Sequence, residues 1–263
     1  MQTAADIIAF VERATGHPLH SDEGVQRGPA GRSVERAFVC WMATKEALSR
    51  AAKTAADLVI GHESLYYPYD AVVRKDLAPG WQDWPVNHAR RTLLEDHGMT
   101  FARLHGSLDE ICIFDEFAAR LGLEQPVIAE GGLAKVYAIK PCTLGELVER
   151  VTRCMTMSPL RVSAPNGLGQ KVSRVGLPWG GLGLFVNVGY QQHLLSLGCD
   201  VLIAGESDSY GFRFSAECGV PMIETSHEDS ENDGLRRFCE LLRERFPALS
   251  VEFFEVSRPW CWT

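Results

Sequence analysis

Two stretches of this chain place imidazole and carboxylate groups at spacings that suit a divalent metal ion. The first holds His62 and Glu63, in Asp57-Leu-Val-Ile-Gly-His-Glu-Ser64, followed by His105 and Asp109 in Leu104-His-Gly-Ser-Leu-Asp109. The second holds Glu206, in Asp200-Val-Leu-Ile-Ala-Gly-Glu-Ser207, followed by His227 and Glu231 in Ser226-His-Glu-Asp-Ser-Glu231. Imidazole nitrogen and carboxylate oxygen together suit zinc, iron or manganese. A histidine and a carboxylate four residues apart share one face of a helix, so His227 and Glu231 can reach one ion together. Asp109 is the corresponding carboxylate of the first stretch, and such an oxygen pair can bridge two ions. Two ions about 3.5–4 Å apart would share a water, lower its pKa and direct it at an electrophilic carbon or phosphorus. The competing reading is structural. Glu228, Asp229 and Asp233 also suit the acidic first turn of a helix, where the macrodipole favours negative charge.

The elements that must position these groups follow from the apolar pattern. Each Asp-plus-three-apolar run reads as a buried strand, and its polar end as the loop where the strand stops. Ala37–Met42, the helical stretch Thr44–Lys53 and the strand Asp57–Ile60 form a βαβ unit, which implies a parallel pair. Ligands of parallel α/β sheets bind off the C-terminal strand edge, where His62 and Glu63 fall. Met99–Leu104 reads as a strand ending at His105, and Glu110–Leu121 as a helix. Residues 19–33 read as a loop or short extended stretch, and 70–86 as an irregular excursion. Tyrosines 66, 67 and 69 suit packing under that excursion more than a pocket wall. In the second half, strands are expected at Ala134–Ile139, Leu160–Ser163, Val172–Val175, Asp200–Ala204, Pro221–Thr225 and Leu249–Val256. A helix is expected over Phe185–Leu197. Thr3-x-x-Asp6 and Thr143-x-x-Glu146 have the form of capping boxes. The glycine loop 176–183 is not a dinucleotide motif and reads as a tight strand-to-helix turn, although a helix N-terminus there would also suit an anion.

The expected fold class is therefore α/β: two similar lobes arising by internal duplication, residues 1–126 and 127–263, with mixed sheets flanked by helices and a metal site at the lobe interface. The bulk numbers agree with a globular chain. The 263 residues are 46% hydrophobic and 23% charged. A net charge of −8 argues against nucleic acid as a partner. No apolar run approaches the roughly 18 residues of a membrane span, and no secretion signal is expected at the N-terminus. Eight cysteines without a C-x-x-C pair suit reduced, buried thiols in the cytoplasm. Trp260 and Trp262 suit packing, either at a subunit contact or on their own lobe.

The sequence also resembles a known family. The carrying residues are Glu23-Gly-Val, Gly-His62-Glu63, His105-x-x-x-Asp109 with Leu108 before the aspartate, the glycine-rich turn at 175–183, Gly205-Glu206 and His227-x-x-x-Glu231. In that order they resemble the NIF-three-like proteins, also labelled GTP cyclohydrolase type 2 homologues, over nearly the whole chain. The resemblance implies a dinuclear metal centre between two α/β lobes and a toroidal homohexamer. It carries metal binding to His62, Asp109, His227 and Glu231. The family usually has adjacent histidines where this chain has His62-Glu63. Glu63 would ligate through oxygen and favour manganese or iron over zinc, or would leave only one ion tightly held. His105 is expected to orient a ligand or water, or to shuttle a proton, and Glu206 to hold a nearby water or substrate group. The leading expectation is a metal-dependent hydrolase of a small molecule (a nucleotide, phosphoester or cyclic amide) that uses a metal-activated water. The alternatives are a non-catalytic metal-binding assembly or regulator acting through protein partners, and a metal-delivery or storage role.

Overall fold

Strand runs that are apolar on both faces need a covered, parallel environment, and both repeated runs have it. In a computed structural model that describes residues 2–77 and 79–261, Leu58, Val59 and Ile60 are fully buried, as are Val201 and Leu202. The chain forms two compact α/β units. One comprises Met1–Ile113 with Gly234–Ser257, the other Phe114–Asp233 with Arg258–Thr263.

The first unit holds a five-stranded sheet in the order Ser250–Phe254, Arg36–Cys40, Leu58–Gly61, Thr100–Arg103, Gly24–Arg27. The first four strands are parallel, and Gly24–Arg27 runs antiparallel beside Thr100–Arg103. The βαβ unit read from the sequence is present, with its helix at Lys45–Lys53. That helix starts where it does because the Thr44 hydroxyl accepts from the Ala47 N–H at 3.1 Å. Its buried face, Ala47, Leu48 and Ala51, joins Phe38, Val59, Leu94 and Phe101 in one core. The capping box at Thr3 and Asp6 opens the helix Ala4–Thr15. Tyr66 packs beside Trp81, centroids 5.8 Å apart, as expected of a tyrosine under the excursion.

The second unit holds a six-stranded mixed sheet. Its order is Pro126–Ala129, Lys135–Thr143, Lys171–Gly176, Val201–Ala204, Met222–Glu224, Arg161–Ser163. Lys171–Gly176, Val201–Ala204 and Met222–Glu224 are parallel, and the flanking strands are antiparallel. The capping box at Thr143 and Glu146 opens the helix Leu144–Met155. The first sheet thus has four consecutive parallel strands and the second three, each run followed by an antiparallel strand.

The aspartates heading the two repeated runs have a structural task. Asp57 Oδ2 accepts from the backbone N–H groups of Glu35 and Arg36, at 2.9 and 3.0 Å. Asp200 accepts from those of Ser173 and Arg174, at 2.9 and 2.8 Å, and from the Ser173 hydroxyl at 3.0 Å. Asp57 ties the start of the neighbouring strand to its own, and Asp200 ties the middle of Lys171–Gly176 to its own. Hydrogen bonds to a charged group contribute about 1.5–3 kcal/mol. Asp200→Ala should therefore lower the unfolding free energy by roughly 2 kcal/mol, read as a fall in the urea midpoint at unchanged slope. An unchanged midpoint would show that these bonds are replaceable by water.

Several elements differ from the expected pattern. The segment after His105 is not one helix. It is a short turn Gly106–Leu108, a π-helical turn Asp109–Ile113 and the helix Phe114–Arg120. An apolar stripe cannot separate a π turn from the α-helix it interrupts. The helix expected from Phe185 begins at Val188, after 3₁₀ turns at Gly180–Gly183 and Phe185–Asn187. Within 19–33 the extended parts are the strand Gly24–Arg27 and the first residue of the short strand Ser33–Val34.

None of the eight cysteines is in a disulfide. Burial first of all pushes Cys40, Cys199 and Cys239 up to about 12. Iodoacetamide at pH 8 should modify exposed Cys218 and Cys261 while sparing those three until denaturant is added, as peptide mass spectrometry would show. Among the described residues no helix is long and apolar enough to cross a membrane. The Arg258 guanidinium lies 5.4 Å from the centre of the Trp260 ring, and Trp262 lies outside the described residues.

Candidate metal centre

In the first unit, the strand Leu58–Gly61 delivers His62 and Glu63 directly from its end. The N–H groups of both donate to the Trp41 carbonyl, at 3.0 and 2.8 Å, which fixes the backbone past the last ladder pair. The His62 ring is fully buried. Its Nδ1 lies 3.2 Å from the Leu104 carbonyl oxygen, an acceptor only. Nδ1 therefore carries the ring proton, and the Nε2 lone pair faces Asp109, whose Oδ1 is 3.9 Å away. His62, Glu63 and His105 offer ligand atoms that all lie within 4.8 Å of one another.

His105 is gripped from several sides. Its Nδ1 lies 3.0 Å from Asp22 Oδ2, and its Nε2 3.5 Å from the Tyr69 hydroxyl. Its backbone N–H donates to Glu23, which also accepts from the Ser107 N–H and hydroxyl, at 3.0 and 2.6 Å. Behind this lies Arg103, fully buried. Its guanidinium pairs with Asp70 and, at 2.9 Å, with Asp22, and it donates to the Tyr69 hydroxyl at 2.8 Å. It also donates to the His62 carbonyl at 3.1 Å and lies 4.0 Å from Glu63 Oε2. The hydrogen bond from His105, with the charges of Arg103 and His105 outweighing burial, holds Asp22 down at about 2. Burial, then the Glu63 charge, raises Tyr69 well above the ordinary phenol range.

In the second unit, His227 is the first residue of the long helix His227–Arg245. Its Nε2 is 3.5 Å from Glu231 Oε1, one turn on, and its Nδ1 is 3.0 Å from Glu206 Oε2. The other acids at this end of the helix have structural partners. Glu228 accepts from the Ser226 hydroxyl at 2.6 Å, Asp229 pairs with Arg258 at 3.3 Å, and Asp233 pairs with Arg120 at 2.9 Å. The helix-start reading thus describes Glu228 and Asp229, whereas Asp233 lies beyond the first turn; His227 and Glu231 face each other.

A family model described as Duf34/NIF3 (NGG1p interacting factor 3) matches residues 6–259. The chain belongs to that family. Solved structures share the fold of this NIF3-family chain over its whole length. A Bacillus cereus protein related to NIF3 is 14% identical, with 100% of this chain and 99% of that one covered and a TM-score of 0.79. Protein ybgI, described as of unknown function, is 18% identical over 98% and 100% of the two chains, with a TM-score of 0.80. Reduced HcgD from Methanocaldococcus jannaschii is 18% identical over 97% and 98%, with a TM-score of 0.75. At these identities the likeness is one of fold. No curated protein matches the chain.

The glycine turn of this NIF3-family chain lies against the His227–Glu231 pair. A Cβ on Gly180, whose φ is +51°, would overlap Glu231 Oε1 and stand 3.3 Å from His227 Nε2. A Cβ on Gly205 would meet the backbone N and O of Gly180 at 2.5 Å. The loop is a close-fitting 3₁₀ turn, as its glycines suggest, and the α-helix begins only at Val188. The glycines let the turn pack closely against one imidazole and one carboxylate, and that donor set fits a divalent cation. The sequence reading passed over Asp22, Asp70 and Arg103. The available signal was Arg103 itself, a lone charge inside the apolar strand Met99–Leu104. Tyr69 reaches His105 and Arg103, so this tyrosine belongs to the cluster.

Proposed function

We propose that this NIF3-family protein is a metal-dependent hydrolase of a small molecule, with His62, Glu63 and Asp109 of one unit and His227 and Glu231 of the other as ligands of one or two divalent ions. One observation carries the reading: in each unit a histidine at a strand exit has Nδ1 held by an oxygen, Leu104 O or Glu206, and Nε2 facing a carboxylate, Asp109 or Glu231. When bound, zinc, iron or manganese there would supply Lewis acidity and lower the pKa of water. His105, oriented by Asp22, is the proposed proton carrier. Glu206 orients His227. The family likeness supports a homohexamer as the working assembly, and the buried thiols support a reducing, cytoplasmic setting.

The Arg103 guanidinium near Glu63 favours a second reading. That cation competes for the Glu63 charge, so the site would hold a single ion and act as a non-catalytic assembly or regulator through a protein partner. Metal-loaded protein assayed against phosphodiesters, nucleotides including GTP, and cyclic amides separates the two. Turnover abolished by Asp109→Ala and by His227→Ala supports the hydrolase. Stoichiometric metal with no turnover, alongside a co-purifying protein, supports the second reading.

A further inference from the structure

A second group of metal-ligating side chains joins His17 and His20, on the loop that follows the first helix, to Glu110, the residue after Asp109. His17 Nε2 lies 2.7 Å from Glu110 Oε2, and His20 Nε2 lies 3.1 Å from Glu110 Oε1. The three residues offer ligand atoms that all lie within 4.8 Å of one another. Donor accounting makes the arrangement informative. His17 Nδ1 is 2.7 Å from the Pro18 carbonyl oxygen, which only accepts, so Nδ1 carries a proton. In a neutral ring Nε2 is then a bare lone pair facing a carboxylate oxygen, acceptor against acceptor. A positive charge must stand between them. A proton on His17 alone, which the Pro18 carbonyl and Glu110 favour, answers both its contacts while neutral His20 donates through Nε2; a proton on each would place two imidazolium rings 5.2 Å apart around one carboxylate. One dication satisfies the same three groups without that repulsion.

The geometry points to a second divalent-cation site, formed by His17, His20 and Glu110, that takes zinc or a similar borderline ion. Bonds of about 2.0–2.1 Å at tetrahedral angles set ligand atoms roughly 3.4 Å apart, so the 2.7 and 3.1 Å contacts would open by about 0.3–0.7 Å on binding. Two histidines and a carboxylate are a common zinc set, with the remaining position left to water. A Cβ on Gly106 would meet the His20 ring at 2.9 Å and turn it aside, so glycine there permits this ring position.

The site has a task within its unit. The same loop carries Asp22 and Glu23, which hold His105 and Ser107. Glu110 belongs to the π turn Asp109–Ile113. A cation bound by His17, His20 and Glu110 fastens the loop to that turn and so fixes the grip on His105. Binding at this site stands independently of the hydrolase reading.

The test uses zinc chloride and full-length protein in equilibrium dialysis with elemental analysis. His17→Ala/His20→Ala should hold one zinc fewer than the parent, and Glu110→Gln should bind that zinc at least about tenfold more weakly. The same loss should appear in a His62→Ala/His227→Ala background, so failure at the other residues is distinguishable. In that background zinc should also raise Tm and shield His17 and His20 from diethyl pyrocarbonate, effects absent from the His17→Ala/His20→Ala combination. Equal zinc content and equal protection with and without the two histidines would overturn the proposal.

Discussion

Arg103→Met is expected to destabilise the first unit by about 3–5 kcal/mol, the range for removing one partner of a buried ion pair. Arg103 is fully buried, and its guanidinium joins Asp22, Asp70, the Tyr69 hydroxyl and the His62 carbonyl. Methionine fills much of the volume and answers none of these groups. The effect should fall near the lower end, because Asp22 and Asp70 side chains are 21% and 25% exposed and gain water. Arg103→Lys should be intermediate, since it keeps the charge but loses the planar fork that reaches several acceptors at once. The pH dependence adds a signature. Asp22 has a folded value of about 2 against an ordinary 3.8, so its contribution is present above 3.8 and lost as pH falls towards 2. His105 supplies the larger part of that shift and Arg103 a further part. The variant should therefore lose less stability than the parent across that acid window. Urea titrations at several pH values measure both effects, and a parent-like midpoint at neutral pH would refute the role given to Arg103.

Gly205→Ala is expected to cost about 3 kcal/mol, the upper end for overpacking. The new methyl would meet the backbone N and O of Gly180 at 2.5 Å and the Ser230 hydroxyl oxygen at 2.6 Å. Two of these atoms are backbone and cannot rotate aside. Relief requires moving the glycine turn, which already leaves no room beside Glu231 and His227. Metal content should fall along with Tm. Gly189 provides the control. It lies in the helix Val188–Ser196, and a Cβ there meets nothing within 4 Å. Gly189→Ala should be neutral or stabilising by up to about 1 kcal/mol, as helix propensity dictates. Equal melting temperatures for the two variants would show that the close approach at Gly205 is not a constraint.

What could be read from the sequence depended on how local each signal is. The runs at Val59-Ile60 and Val201-Ile203 announce buried parallel strands because every side chain in them is apolar. Thr3 with Asp6, and Thr143 with Glu146, announce helix starts because the bonds close within one turn. His227 and Glu231 announce a pair for the same reason. Long-range partners left no such mark. Asp22 lies in a polar stretch that any loop could contain, and only folding brings it to His105 and Arg103. The π turn at Asp109–Ile113 shares its apolar stripe with an ordinary helix. The pairing of Ser250–Phe254 with Arg36–Cys40, in the first unit's sheet, is not foretold by the apolar pattern of 249–256. The use of Asp57 and Asp200 as ties to neighbouring strands was hidden in plain view, because an aspartate before a strand fits any turn.

The most direct measurement is the metal content of protein purified without chelator or affinity metal, set beside His62→Ala, His227→Ala and Glu63→His. The account predicts bound zinc, iron or manganese in the parent that falls in both alanine variants, with occupancy rising in Glu63→His as a second imidazole replaces the carboxylate. Metal content that is negligible in the parent, or untouched by His62→Ala and His227→Ala, would contradict it.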